Sequence, residues 1–180
     1  MTRPIAMRSR PIQFVGARFH PGWLPATLGI DGHELRDMVV PLADVSQRLQ
    51  GVLRRAKGRP HEVLTALVND VMDVGAPPPP LVCQALDAIE ASQGLVRIEH
   101  LCRELRVTRQ HLARRFGATL GVSPKFAGRV VRMQHVLRRA AGGARGGWAR
   151  VAFESGYADQ SHLVEDLREL TGRTPSELAS

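Results

Sequence analysis

Two stretches of this 180-residue chain repeat each other, and the repeat constrains the fold more than any other feature. Residues 108–124 align with residues 159–175. The matching pairs are His111/His162, Leu112/Leu163, Phe116/Leu167, Gly121/Gly172, Ser123/Thr174 and Pro124/Pro175. Each copy opens with a residue that commonly caps a helix, carries apolar residues at helical spacing, and ends at glycine before Ser/Thr-Pro. The sequence therefore predicts one helical element present twice.

Short helices with their own apolar faces are predicted before each copy, so each copy becomes the second member of a helix-turn-helix pair. A long helix from Pro124 to about Ala141 joins the two pairs, with proline at its first helical position. The predicted helices after residue 80 cover residues 81–92, 98–105, 108–120, 124–141, 148–155, 159–171 and 175–179.

The amino-terminal part of the chain has a different pattern. Residues 11–20 are rich in aromatic and β-branched residues and predict a short strand. Residues 33–57 predict helical pieces interrupted by Pro41, and residues 61–74 predict an amphipathic helix. A single strand with a few helices leaves little with which to close a core. We therefore expect this part to mediate homodimerisation or to stay partly mobile, and not to enclose a ligand pocket.

Four consecutive prolines follow, and such a run favours an extended spacer. The predicted organisation is a partial α+β segment over residues 1–75, a proline-rich linker over residues 76–80 and a helical domain over residues 81–180. The overall fold class is mainly α.

Charge is distributed unevenly along the chain. The 25 basic and 17 acidic residues give a net charge of +8 with histidine neutral. Residues 97–150 carry net +11, whereas residues 151–180 carry net −4. Such an excess favours an anionic partner, nucleic acid or a membrane surface. No apolar run approaches the roughly 18 residues of a membrane span, and no signal core opens the chain, so we expect a cytoplasmic protein without a membrane partner.

The helix over residues 108–120 has two chemically distinct faces. Its apolar residues, Leu112, Phe116 and Leu120, are expected to face inward. Gln110, Arg114 and Gly117 then face outward, with His111 and Arg115 on the flanks.

Glutamine and arginine pair well with adenine and guanine, or with phosphate. The small residues Gly117 and Ala113 are expected to let this surface approach a groove wall closely. An ordinary solvated helix face is the alternative interpretation of the same pattern.

The repeated copies match a known family pattern at many positions. The first copy fits S-x-x-x-L-x-R-x-F-x-x-x-x-G-x-S-P at Thr108, Leu112, Arg114, Phe116, Gly121, Ser123 and Pro124. The second fits G-[FY]-x-D-x-S-[HY]-[FL] at Gly156, Tyr157, Asp159, Ser161, His162 and Leu163, followed by Gly172, Thr174 and Pro175. Residues 81–178 therefore resemble the carboxy-terminal DNA-binding domain of the AraC/XylS family of bacterial transcription regulators.

The resemblance implies two helix-turn-helix pairs joined by a long helix, with double-stranded DNA as the partner. It implies DNA contacts from Thr108, Arg109, Gln110, His111, Arg114, Arg115, Lys125, Arg129, Gln160, Ser161 and His162. Residues 12–45 resemble, over a shorter pattern, the end of an amino-terminal sensor domain in one subgroup. Most of that sensor would lie upstream, so residues 1–75 are interpreted as a partial sensor or dimerisation segment.

The second copy departs from the family pattern. Glu165 stands where the family usually has arginine, and Leu167 replaces the usual phenylalanine. The outward face of this helix is predicted to carry Ser161, Glu165, Arg168 and Glu169. Since a carboxylate repels phosphate, we expect the second pair to contribute little DNA affinity. A cytosine contact by Glu165 is the alternative.

Four arginines, at positions 129, 132, 138 and 139, lie along the long helix. Phosphate contacts and buried ion pairs both remain open for them.

Other classes of function find little support. The sequence has no glycine-rich phosphate loop, and its seven histidines lack cysteine or carboxylate partners at metal-ligand spacing. We expect no enzyme activity, cofactor or metal, and we interpret Cys83 and Cys102 as reduced structural thiols.

The alternative function is an interaction module that modulates another transcription factor without reading DNA. RNA polymerase is a candidate partner. We expect the protein to activate transcription, and repression is the alternative that the sequence leaves open.

Overall fold

The computed structural model describes residues 15–141 and 147–178, and within these ranges the regular secondary structure is entirely helical. The helices are α1 (Trp23–Leu28), α2 (Gly32–Leu35), α3 (Leu42–Val45), α4 (Gln47–Arg55), α5 (Pro60–Val74), α6 (Pro80–Ala91), α7 (Ile98–Glu104), α8 (Arg109–Leu120), α9 (Pro124–Ala141), α10 (Gly147–Glu154), α11 (Gln160–Thr171) and α12 (Pro175–Leu178).

The seven helices predicted after residue 80 are confirmed as α6 to α12, with ends that agree to within a residue or so. The predicted caps also form. Thr108 Oγ1 accepts a hydrogen bond from the backbone N–H of His111 at 3.1 Å. Asp159 Oδ1 accepts one from the N–H of His162 at 2.8 Å. These bonds satisfy amide groups that a helix start leaves without an internal partner.

The predicted strand is wrong where it can be judged. Residues 15–20 have no regular secondary structure, and residues 11–14 lie outside the described ranges. A strand needs a neighbouring strand to pair its backbone groups, and residues 15–141 and 147–178 contain none. The described amino-terminal segment is therefore α, not α+β. The sequence interpretation also missed α1, a six-residue helix that begins after Gly22 and contains a proline.

The chain divides into two compact bodies. Among the described residues, the amino-terminal body comprises residues 15–82 and 114–122, and the carboxy-terminal body comprises residues 83–113, 123–141 and 147–178. Helix α8 contributes residues to both. The proline-rich boundary at residues 76–80 stays a prediction.

In the amino-terminal body, α4 packs against α3 and α5, and α5 also packs against α1. Leu49 and Val71 are buried in this body. The end of α8 is part of the same body: a Cβ atom on Gly32 would lie 2.5 Å from the backbone nitrogen of Gly121. Only glycine permits so close an approach of two backbones.

In the carboxy-terminal body, α9, α10 and α11 pack together around one apolar cluster. The buried members of the cluster are Met133, Val136, Val151, Ala152, Tyr157, Leu163 and Leu167. They follow the helical spacing visible in the sequence, so this core arises from amphipathic faces meeting one another. The cluster holds α11 against the long helix α9.

His135 on α9 is expected to make the stability of the protein depend on pH. It is half-buried, and its Nε2 has no hydrogen-bond partner within the described part of the chain. Burial, followed by the charges of Arg139 and Arg138, lowers the pKa of His135. The unfolded chain therefore binds the proton first as pH falls below about 6.5, and the folded state loses stability on acidification.

We expect the thermal midpoint to fall between about pH 7.5 and 5.5, and to fall less in a His135→Leu variant, by roughly 1–3 °C. Differential scanning fluorimetry of both proteins across this range measures the difference. Parallel pH profiles would contradict the assignment.

Candidate nucleic-acid interface

Both helix-turn-helix pairs use the same backbone device in their turns. In the first pair (α7 and α8), Arg106 has φ 54°, and the N–H of Val107 bonds to the carbonyl of Cys102 at 3.0 Å. In the second pair (α10 and α11), Gly156 has φ 72°, and the N–H of Tyr157 bonds to the carbonyl of Ala152 at 3.0 Å. Each first helix thus ends on a left-handed residue that reverses the chain.

The second turn is one residue longer than the first. Cys102 and Ala152 are equivalent at an offset of 50, whereas the helix caps Thr108 and Asp159 are equivalent at an offset of 51. The additional residue is Ala158, which lies between Tyr157 and the cap. The two pairs therefore have the same order of helices, and each turn has a left-handed residue and an equivalent backbone hydrogen bond, but the turns differ in length.

Helix α8 presents a polar face to solvent. Leu112 and Phe116 are fully buried, whereas Gln110, Arg114 and Arg115 are exposed. His111 is half-buried beside its cap, Thr108. The inward and outward faces predicted from spacing are therefore present at these positions.

Gly117 is the exception to the predicted outward face. It is buried, and the structure places the imidazole of His33 over it. The prediction that Gly117 leaves the surface open for a close approach to a groove wall is wrong, because that space is filled.

Arg109 lies in the first turn of α8 and forms an ion pair with Glu99 at 2.6 Å. Both side chains are about two-thirds exposed, so solvent screens the pair and it adds little stability. A backbone hydrogen bond and the nearby Arg109 lower the pKa of Glu99. An incoming phosphate would compete with an ionised carboxylate for Arg109.

The long helix α9 carries arginines that are engaged within the protein. Arg129 Nη2 lies 2.6 Å from Asp166 Oδ1 and 2.6 Å from Glu169 Oε2. Asp166 is only 6% exposed, and its Oδ2 also accepts the hydroxyl of Tyr157 at 3.1 Å. Hydrogen bonding to Glu169, and then to Asp166, raises the pKa of Arg129. Burial, with Asp166 adding to it, raises the pKa of Tyr157.

Two further arginines of α9 also have partners. Arg132 donates to the carbonyl of Gly94 at 3.1 Å, and its guanidinium lies 5.3 Å from the centre of the Tyr157 ring. Arg139 pairs with Glu154. Three of the four arginines thus make intramolecular contacts. DNA contact by Arg129 stays a prediction, and it would have to displace two carboxylates.

Asp166 is the buried structural residue of this region that sequence reasoning missed. A signal was present, because Asp166 falls on the apolar face with Leu163 and Leu167, and a carboxylate on a buried face requires a cationic partner. Glu169 is exposed, as predicted for the outward face, and its carboxylate also pairs with Arg129.

The remaining predicted DNA-contact residues are accessible. Lys125 is exposed in the first turn of α9, and Gln160, Ser161 and His162 are exposed in the first turn of α11. The ring of His162 meets that of Tyr157 edge-on, with centroids 5.3 Å apart. Glu165 and Arg168 are exposed further along α11.

No group of three or more histidine, cysteine, aspartate or glutamate residues within residues 15–141 and 147–178 could hold a metal ion. No helix in these ranges has the length and apolar character needed to span a membrane.

Residues 101–180 match the family model described as a helix-turn-helix domain. No curated protein and no solved structure gave a significant match. This match agrees with the two capped helix pairs and with the exposed polar face on α8. Together these observations define a DNA-binding helix-turn-helix protein of the transcription-regulator class. The matched residues form a helix-turn-helix domain of the AraC type.

The network around Arg129 predicts unequal roles for its two carboxylates. Replacing the buried Asp166 by alanine leaves a cation and a tyrosine hydroxyl poorly satisfied, and we expect a loss of about 2–4 kcal/mol in the free energy of unfolding. Glu169→Ala removes the more exposed partner of the same arginine, and we expect a loss below about 1 kcal/mol. Urea denaturation of both variants measures the difference, and equal losses would contradict it.

Proposed function

We propose that this regulator binds DNA sequence-specifically in adjacent major grooves, mainly through its first helix pair. The observation that carries the proposal is the exposed polar face of α8, with Gln110 and Arg114 on the side opposite the buried Leu112 and Phe116. Glutamine and arginine can each form paired hydrogen bonds with a base edge. The capped start of α8 matches the part of a recognition helix that contacts bases.

The length of α9 supports the proposal of two adjacent contacts. It has 18 residues, which at 1.5 Å per residue corresponds to about 27 Å. One turn of DNA is about 34 Å, the usual spacing between two helix-turn-helix contacts on one face of the duplex. In this proposal the second pair occupies the neighbouring groove.

Charge favours the first pair as the main source of affinity. Lys125 and Arg115 are exposed in or next to the first pair and lie in the segment of net +11. The exposed Glu165 on α11 lies in the segment of net −4. Phosphate binding depends on counterion release by cationic side chains, so the second pair contributes less in this proposal.

A second candidate function is supported by α10. Phe153 is 82% exposed on this helix, and a large exposed aromatic residue is typical of protein interfaces. Together with the acidic charge of the segment, it favours a protein partner, of which RNA polymerase is one candidate. In this alternative the chain modulates another regulator without reading DNA. Homodimerisation through the amino-terminal segment also remains a proposal.

Arg114→Ala tests the main proposal. We expect it to weaken binding by about 1–3 kcal/mol on a duplex selected by the parent from a random-sequence library. Arg54→Ala, which removes an exposed arginine from α4, is the matched control for the loss of one charge. Fluorescence anisotropy at physiological salt measures both. Equal affinity of Arg114→Ala and the control would exclude Arg114 as a base reader, and no recovered duplex would favour the interaction module.

Glu165→Arg tests the role of the second pair. We expect tighter binding and a salt dependence steeper by about one phosphate contact, since a cation replaces a repelling carboxylate. Glu165→Gln is the control that removes the charge without adding a cation, and it should produce a smaller gain. The measurement is affinity against salt concentration on one selected duplex. Weaker binding, or a changed preference at a single base pair, would identify Glu165 as a base reader.

A further inference from the structure

Position 117 of α8 lies on the face proposed to read DNA but carries no side chain of its own. Gln110, Arg114 and Gly117 follow the spacing of one helix face, yet Gly117 is buried whereas the other two are exposed. A Cβ atom built on Gly117 would lie 2.5 Å from His33 Nε2 and 3.1 Å from His33 Cε1. The imidazole of His33 thus occupies the space into which a side chain at position 117 would project.

The placement of His33 is fixed by backbone contacts on both sides of it. The carboxylate of Asp31 caps α2 by accepting the backbone N–H of His33 at 2.8 Å. Gly32 packs on the backbone at the end of α8, and Arg36 Nη1 donates to the carbonyl of Gly121 at 3.3 Å. The close approach of the Gly32 and Gly121 backbones holds α2 against the end of α8 within the amino-terminal body.

From this geometry we infer that His33 is a further DNA-contacting, specificity-determining residue that supplies the missing side chain of position 117. The inference rests on the proposed function of α8. His33 is exposed, and an imidazole can both donate and accept hydrogen bonds, as the edge of a base pair in the major groove requires. Position 117 lies about 10 Å along the helix axis from position 110, a distance on the order of three base-pair steps.

The surrounding charges favour a base edge over a phosphate as the target. Asp31 and Glu34 are exposed next to His33, and Asp37 follows α2, with Arg36 as the cation among them. Carboxylates disfavour a nearby phosphate. A contact from His33 should therefore change the base preference of the protein more than the salt dependence of its affinity.

The test uses the full chain and 30-base-pair duplexes that the parent recovers from a random-sequence library. We expect His33→Ala to bind the preferred duplex about 5- to 20-fold more weakly and to lose preference at one or two base pairs beside those that depend on Arg114. The slope of affinity against salt should stay close to that of the parent. His61→Ala, which removes an exposed histidine from α5, is the matched control and should bind as the parent does.

Gly117→Ala provides an independent variant. Its new Cβ must displace the imidazole, which is the far end of a flexible side chain. We expect the same loss of preference as in His33→Ala, and a double variant no weaker than either single one, because both changes remove one contact. Circular dichroism and thermal unfolding establish that the variants fold.

Distinct results would overturn the inference. Unchanged binding by folded His33→Ala would show that the residue only packs. Tighter binding by both single variants would show that α2 masks α8. Additive losses would show that His33 does not act through position 117. If Arg114→Ala loses affinity but His33→Ala does not, the inference alone fails. If the parent recovers no duplex, the proposed function fails together with it.

Discussion

The buried carboxylate of Asp166 is the interaction on which the arrangement of the carboxy-terminal body depends. It accepts hydrogen bonds from Arg129 on α9 and from Tyr157 in the turn after α10. Arg132 then links the Tyr157 ring to the carbonyl of Gly94. A buried charge is costly unless every partner is in place. The network therefore permits few alternative positions of α11 on α9, whereas the apolar cluster alone would tolerate more.

Because of this network, the net positive charge of the chain overstates the positive charge that is available to bind phosphate. The segment of net +11 suggests a continuous cationic surface, yet Arg129, Arg132 and Arg139 are committed to partners inside the protein. The cations left exposed in or next to the first helix pair include Arg115 and Lys125. Net charge over a segment is therefore a poor measure of the charge that a phosphate would meet.

Sequence reasoning recovered what is local and missed what is not. Helix ends after residue 80 were predictable because caps, glycines and apolar spacing lie within a few residues of each other. Asp166 and Arg129 are 37 positions apart, and nothing in their spacing shows that they meet. His33 and Gly117, which contact each other, are still further apart in the sequence. The outward face of α8 was therefore predicted correctly at Gln110 and Arg114 but not at Gly117. The strand prediction failed because composition cannot supply a pairing partner.

The extra residue in the second turn has a consequence for how such proteins can change by recombination. The first helices of the two pairs are in register at an offset of 50 and the second helices at 51, with Ala158 making up the difference. An exchange that carries a whole turn with its second helix keeps each cap bonded to its own helix. An exchange made inside the turn adds or removes one residue, which changes the spacing between the left-handed residue and the helix cap. A second helix can therefore be exchanged between the two copies together with its whole turn, whereas exchanges that break within the turn are disfavoured.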